Sequence, residues 1–300
     1  MKQMLQNTLD ETLPNSIIPA VEKNQHTAAH QTEPRAASPT TPAAYADPIS
    51  HDWFVSWFNS PIYLKLYEHR NFKEAEETIE MIWRHTGFGQ KQVSPKVLDI
   101  ACGAGRHAVA LAKKGCAVVA NDLSPLLLQE ARRLAEQHSV RITFSQKDMR
   151  EISWCEEFDV VVQLFTSFGY FEDSDDDMRV LENVYRALKE NGLYVLDFFN
   201  ATVVRNTYKP LTRRMVEGIQ VSEERSIVGE RIRKVITLSE NGNIRRFAES
   251  VRLYSHEELV QMLGAVGFCV QEVLGDYDGS SFVPERSPRV ILLAKKSAPA

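Results

Sequence analysis

The first 86 residues of this 300-residue chain contain no glycine, and proline crowds into the first 50. Cysteine is scarce. Cys102, Cys116, Cys155 and Cys269 form no C-x-x-C pair, and no histidine cluster stands beside them at zinc spacing. A disulfide framework and a structural zinc site are thereby excluded, and no metal is expected. Free thiols fit a reducing compartment, so a cytoplasmic location is expected. No apolar run approaches the ~18 residues of a membrane span, and the first 23 residues lack the apolar core of a secretory signal. An excess of positive charge is also missing. Lys+Arg number 35 against 40 Asp+Glu, a net charge of -5. That balance gives no support to a nucleic-acid or membrane-surface binder, which carries a basic patch or stripe.

What is present divides the chain. Residues 1–50 hold one aromatic, Tyr45, and the run AASPTTPAAYADP. Such a segment buries too little apolar surface to offset its ordering entropy, so it is expected to be a disordered tail. Residues 51–300 are expected to form one domain. In it, Trp53, Phe54, Trp57 and Phe58 are spaced for a helix, Pro61 opens a second, and a third runs from about Lys73 to His85. These helices fall in an expected cover, residues 51–90.

From Lys96 the pattern alternates. VLDIA, CAVVAND, RITFSQKD, FDVVVQLF and LYVLDFFN read as strands, separated by HAVALAKKG, SPLLLQEARRLAEQH and SDDDMRVLENVYRALKENG as helices. Ser124 is a predicted N-cap with Pro125 after it, and Gly192 is expected just past a helix end. Strands alternating with helices imply a parallel sheet in a doubly wound α/β domain, with residues 91–200 as its core. Residues 211–254 then carry β-branched alternating runs and the hairpin pair Asn241-Gly242, which predicts an antiparallel insertion after strand five. Residues 255–300 supply a closing helix and two strands.

Three features carry chemistry. Gly103-Ala104-Gly105 follows the first strand and opens a helix, where glycine lets backbone approach a ligand. Asp122 ends the second strand, placed to accept both hydroxyls of a ribose. Asp148 ends the third, placed to accept an adenine amine, with Met149 packing on the ring. All three fall outside the carboxyl ends of successive strands, where open α/β sheets bind ligands.

LDIACGAGRHA, NDLS, KDMR and FDVVVQLFTSFGYF together resemble the class I S-adenosylmethionine (AdoMet)-dependent methyltransferases, over roughly residues 51–300. The resemblance implies AdoMet as cofactor and a Rossmann-like sheet of seven strands, the last antiparallel. It implies a cofactor site made of Asp99, Ala101, Gly103, Gly105, Asp122, Leu123, Asp148, Met149 and Leu164, covered by Tyr63 and by Arg70, which would pair with the methionine carboxylate. A nicotinamide dehydrogenase is the competing reading of Gly103–Ala108. Asp99 and the acid after strand three fit the methyltransferase pattern better.

The loop after strand four should face the acceptor, with Phe168 and Tyr170 among its walls. His256, Tyr277 and Arg289 are further substrate-side candidates, and no general base can be assigned. The Asp/Asn-Pro-Pro-Tyr tetrapeptide of nucleic-acid amino methylation is missing. The expected reaction is methyl transfer to an N, O or C atom of a small molecule, with no nucleic-acid or membrane partner, by a monomer or homodimer. Methylation of a protein or tRNA, and a non-catalytic AdoMet-binding scaffold, are the alternatives.

Overall fold

A computed structural model describes residues 49–67, 72–87 and 94–297. The expected tail lies outside the described residues except for Ile49 and Ser50, and Arg70 lies outside them too. The cover consists of α1 (Trp53–Phe58), α2 (Pro61–Leu66) and α3 (Phe72–Thr86). There follow β1 (Lys96–Ile100), α4 (Arg106–Lys113), β2 (Ala117–Asp122), α5 (Pro125–Gln137), β3 (Ile142–Gln146), β4 (Phe158–Gln163), α6 (Ser174–Ala187) and β5 (Leu188–Phe199). The chain closes with α7 (Ala201–Thr207), β6 (Leu211–Val216), β7 (Ile219–Val228), β8 (Arg231–Glu240), β9 (Asn243–Arg252), α8 (His256–Val266), β10 (Phe268–Leu274) and β11 (Arg289–Lys296).

Seven strands form one sheet in the order β10-β11-β5-β4-β1-β2-β3. The pairs from β5 to β3 are parallel, and β11 runs antiparallel to both of its neighbours. Central strands of such a sheet are covered on both faces, hence continuous apolar runs such as Val97-Leu98 and Val160-Val161-Val162, all buried. The chain moves outward from β1 through β2 to β3, then returns to β4 on the other side of β1. That reversal opens a crevice at the carboxyl ends of β1 and β4.

Local chemistry sets the elements. Ser124 caps α5, its hydroxyl accepting from the Leu127 N–H, and Pro125 fills the first helical position. Asn241 and Gly242 both have positive φ, 49° and 82°, as the β8–β9 hairpin requires. Two expectations need correction. The sixth helix ends at Ala187, not near Gly192, because Leu188 is buried and pairs with Phe158 at the start of β5. Gly192 instead relieves a close approach, since a Cβ there would stand 2.8 Å from the Lys189 carbonyl. Helix α7 was not anticipated; Asn200 caps it by accepting from the Thr202 N–H at 3.0 Å.

Strands β6 to β9 form a separate four-stranded antiparallel sheet. Its buried face carries Ile219, Val221, Ile232 and Ile236, but also Glu223, Arg225, Lys234 and Glu249. The charged groups are paired: Arg225 with Glu223 at 2.6 Å, and Lys234 with Glu249 at 2.8 Å. Burial pushes the Lys234 ammonium down to about 8, against the pull of Glu249 and Glu223. Glu249 also accepts from the Trp57 indole at 2.8 Å and the Tyr67 hydroxyl at 3.3 Å, and Lys234 donates to that hydroxyl at 2.9 Å. The insertion is thus fastened to α1 and to the end of α2.

Candidate active site

A cavity of about 730 Å³ opens at the crevice between β1 and β4. The sheet edge supplies Asp99, Ala101, Gly103, Asp122, Leu123, Asp148, Met149 and Leu164. The cover supplies Phe54, Phe58, Tyr63 and Tyr67, the loop after β4 supplies Tyr170 and Phe171, and the β6–β7 hairpin tip supplies Glu217. Glu217 meets Lys65 of α2 at 3.2 Å, and Arg214 donates to the Leu66 carbonyl at 3.4 Å. The hairpin therefore roofs the cavity from the far side.

The carboxylates are held in place. Asp122 accepts from the Gly103 N–H at 2.8 Å and the Ser124 N–H at 2.9 Å, one bond to each oxygen. Each oxygen keeps a lone pair for a ligand hydroxyl. Asp148 is braced by Arg150, with Nη2 at 2.7 Å from Oδ2, and Arg150 also reaches Asp176 at 2.9 Å. Asp99 is buried, and burial together with the nearby Asp122 charge pushes its carboxyl up to about 8. Burial likewise raises Asp122. Asp99 Oδ2 and Asn121 Oδ1 are buried without hydrogen-bond partners. Native structures rarely leave such acceptors unpaired, and both residues line the cavity.

The glycine turn works as its backbone demands. Gly103 has φ 57°, and a Cβ there would meet nothing within 4 Å. Gly105 has φ 82°, and its Cβ would stand 2.7 Å from that of Ala131 on α5. It is absent from the cavity lining; its role is to let α4 and α5 approach. Gly105→Ala is expected to cost about 1–3 kcal/mol from strain alone, plus the clash. Thermal denaturation checks this as a clear drop in Tm.

Four substrate-side expectations are corrected. Phe168 is fully buried against Phe198 and Tyr254, a core residue. His256 opens α8 and lies against Phe282, with a 3.6 Å contact to Glu257. Tyr277 and Arg289 point at Asp197 instead. The Tyr277 hydroxyl donates to Asp197 Oδ2 at 2.7 Å, and Arg289 meets Oδ1 at 2.6 Å. This buried cluster lies behind the cavity and supports it. Asp197 Oδ2 accepts from the Phe165 N–H at 2.8 Å, and Arg289 donates to Thr166 Oγ1 at 3.0 Å. Phe165 and Thr166 have φ 62° and 61°, a left-handed pair that needs such fixing.

Sequence reasoning missed Lys65, Arg106, Asn121 and Glu217 as lining residues. Arg106 directly follows the glycine turn and pairs with Glu74 of α3 at 3.3 Å, its position after Gly105 being the available signal. Glu217 lay hidden because a hairpin tip far along the chain carries no mark of what it folds onto.

Residues 97–192 match the methyltransferase-domain family model, a span that takes in the glycine turn, Asp122 and Asp148. A candidate methyltransferase of Geobacillus sp. (strain WCH70) is 29% identical over 263 residues, covering 83% of this chain and all of that protein. These matches support a class I AdoMet-dependent methyltransferase. Among its relatives is the candidate methyltransferase YqeM of Bacillus subtilis (strain 168), 27% identical over 79% of this chain and 95% of that protein. The fold is that of an AdoMet-dependent methyltransferase from Clostridium acetobutylicum, with a TM-score of 0.67 at 20% identity over 79% of this chain and 97% of that one. In this methyltransferase the cavity suits AdoMet, which brings an ammonium, ribose hydroxyls and an adenine amine as donors to buried acceptors that include two without partners. Among the described residues no helix is long and apolar enough to cross a membrane.

Proposed function

We propose that the enzyme transfers a methyl group to a small-molecule acceptor enclosed in the cavity. The supporting observation is the roof: α1, α2 and the β6–β7 hairpin close over a space of about 730 Å³, within the range of small-molecule sites. Bound AdoMet supplies a methyl group on a positively charged sulfonium. The chain's own part is positioning and exclusion of water.

In this reading Asp122 accepts the two ribose hydroxyls, and Leu123 packs beside them. Asp148 accepts the adenine amine, with Met149 and Leu164 against the adenosine. Asp99 takes the ammonium, and Ala101 and Gly103 let the methionine part approach the backbone. Tyr63 covers the cofactor, and Arg70 pairs with its carboxylate. Tyr170, with Phe171, forms the acceptor wall. Residues 51–300 make the catalytic domain and 1–50 a dispensable extension.

Calorimetric titration with S-adenosylhomocysteine is expected to show binding, and none at millimolar ligand would sink the cofactor assignment. Asp122→Ala is expected to weaken that binding more than tenfold, since charge-assisted hydrogen bonds contribute about 1.5–3 kcal/mol each. Unchanged affinity would remove Asp122 from the site. Incubating labelled AdoMet with a metabolite pool should label a small molecule; a labelled macromolecule in cell extract would overturn the acceptor class.

A further inference from the structure

We propose that Asn121 is a second reader of the adenine amine, its side-chain oxygen accepting one amine hydrogen while Asp148 accepts the other. This rests on the cofactor reading above and adds a residue to it. Asn121 lines the cavity and is 1% exposed, and its Oδ1 is buried without a hydrogen-bond partner. The other end of the amide settles which atom is free. Nδ2 donates to the Lys147 carbonyl at 3.0 Å, and turning the amide over would set oxygen against oxygen. The unused atom is therefore an acceptor, and it needs a ligand that donates.

Its place in the sheet points to the adenine end. Lys147 immediately precedes Asp148, so the Nδ2 bond ties Asn121 to the loop after β3. Asn121 pairs with Ser145 of β3 on one flank and Ile100 of β1 on the other, and its carbonyl accepts from the Cys102 N–H at 3.0 Å. A side chain held on such a strand is organised before the ligand arrives. The other unpartnered oxygen, on Asp99, stands on β1, one strand further from β3, and takes the ammonium.

Asp148 has room for only part of the task. Its Oδ1 accepts from the Arg150 N–H at 2.9 Å and Nε at 3.1 Å, and its Oδ2 from Nε at 3.2 Å and Nη2 at 2.7 Å. Three donors of Arg150 therefore occupy a carboxylate with about four lone-pair sites, which leaves about one. An adenine amine brings two hydrogens and, with its lone pair drawn into the ring, accepts nothing. An amide is suited to take the second. A carboxylate at Asn121 would crowd Asp99, which burial and the Asp122 charge already push up to about 8. A base without the amine would leave a buried acceptor unpaired, so Asn121 is a specificity-determining residue for the adenosyl group.

The test is calorimetry on the full-length protein with three ligands. They are S-adenosylhomocysteine, its analogue with hydrogen in place of the amine, and its N6-methyl analogue. Wild type is expected to bind the first about tenfold or more tighter than either analogue. Asn121→Leu is expected to weaken S-adenosylhomocysteine about tenfold and to bind the deamino analogue no more weakly than wild type does. An unchanged affinity for S-adenosylhomocysteine overturns the proposal. Equal losses for both ligands also overturn it, because the effect would then be on the fold or the ribose. In an Asp148→Ala background Asn121→Leu should cost the same factor. A loss that disappears there overturns the proposal, since Asn121 would then act only by placing Asp148. The wild-type comparison stands whether or not the variants fold: an N6-methyl analogue bound as tightly as S-adenosylhomocysteine means one hydrogen goes unread, and overturns it. A wild type that does not bind S-adenosylhomocysteine at all overturns the cofactor reading first, and the Asn121 assignment with it.

Discussion

Arg289→Met is expected to destabilise the fold by about 3–5 kcal/mol, the usual penalty for stripping one partner from a buried ion pair. At roughly 2–4 °C per kcal/mol for a domain of this size, Tm should drop by about 6–20 °C. The physical reason is that Asp197 and Arg289 are both fully buried, and the guanidinium supplies two donors to Oδ1, Nε at 2.8 Å and Nη2 at 2.6 Å. A second variant separates charge from packing. The Phe165 N–H and the Tyr277 hydroxyl both donate to Oδ2, so an asparagine placing its carbonyl oxygen there keeps both bonds. Arg289→Met combined with Asp197→Asn should therefore recover much of the lost stability. A double variant no more stable than Arg289→Met alone would show that shape rather than charge dominates.

Asp99→Asn is expected to do two opposite things. S-adenosylhomocysteine binding should weaken roughly tenfold to a hundredfold, as a charge-assisted bond of about 1.5–3 kcal/mol is lost. The ligand-free protein should become more stable near neutral pH. The sign follows from proton linkage. Asp99 is pushed up to about 8, so between its ordinary value and that point the folded protein holds a proton that the unfolded chain has released. Stability contributed through this group therefore falls as pH rises across the window. In Asp99→Asn that slope should be reduced, and the gap in Tm between variant and wild type should widen from pH 5 to 8. Cofactor affinity runs the other way in the wild type. The ligand ammonium favours ionised Asp99, so S-adenosylhomocysteine should bind more tightly as pH rises toward 8. A variant with wild-type affinity and an unchanged pH slope would remove Asp99 from the site.

The sheet was legible because each strand carries its own evidence. Apolar runs such as Val160-Val161-Val162 and caps such as Ser124 act within a few residues of themselves. The sheet edge of the cavity was legible for the same reason, since Asp99, Gly103 and Asp122, which line it, sit at fixed offsets from strand ends. The acceptor side was harder. Phe168 and Tyr170 are two residues apart in one aromatic run, yet one is core and the other lines the cavity. Only the direction of the loop decides between them, and that direction is set by Arg231 from a different sheet. Tyr277 and Arg289 carry polar groups suited to substrate, and nothing local announces that Asp197 consumes them. Gly192 misled because a glycine after a helical run serves a tight turn as readily as a cap.

The bond from Trp57 to Glu249 spans 192 residues of sequence. Synthesis proceeds from the N-terminus, so α1 emerges long before its anchor exists. The glycine turn and the parallel strands around it are complete by residue 199, while Lys234 and Glu249 have yet to be made. Until β8 and β9 arrive, Trp57 and Tyr67 lack the acceptor and donor that fix them in the finished protein. The nascent chain therefore passes through a stage with a formed cavity floor and an unfastened roof. Large apolar rings are then without their final partners, the condition under which association with other chains competes with folding.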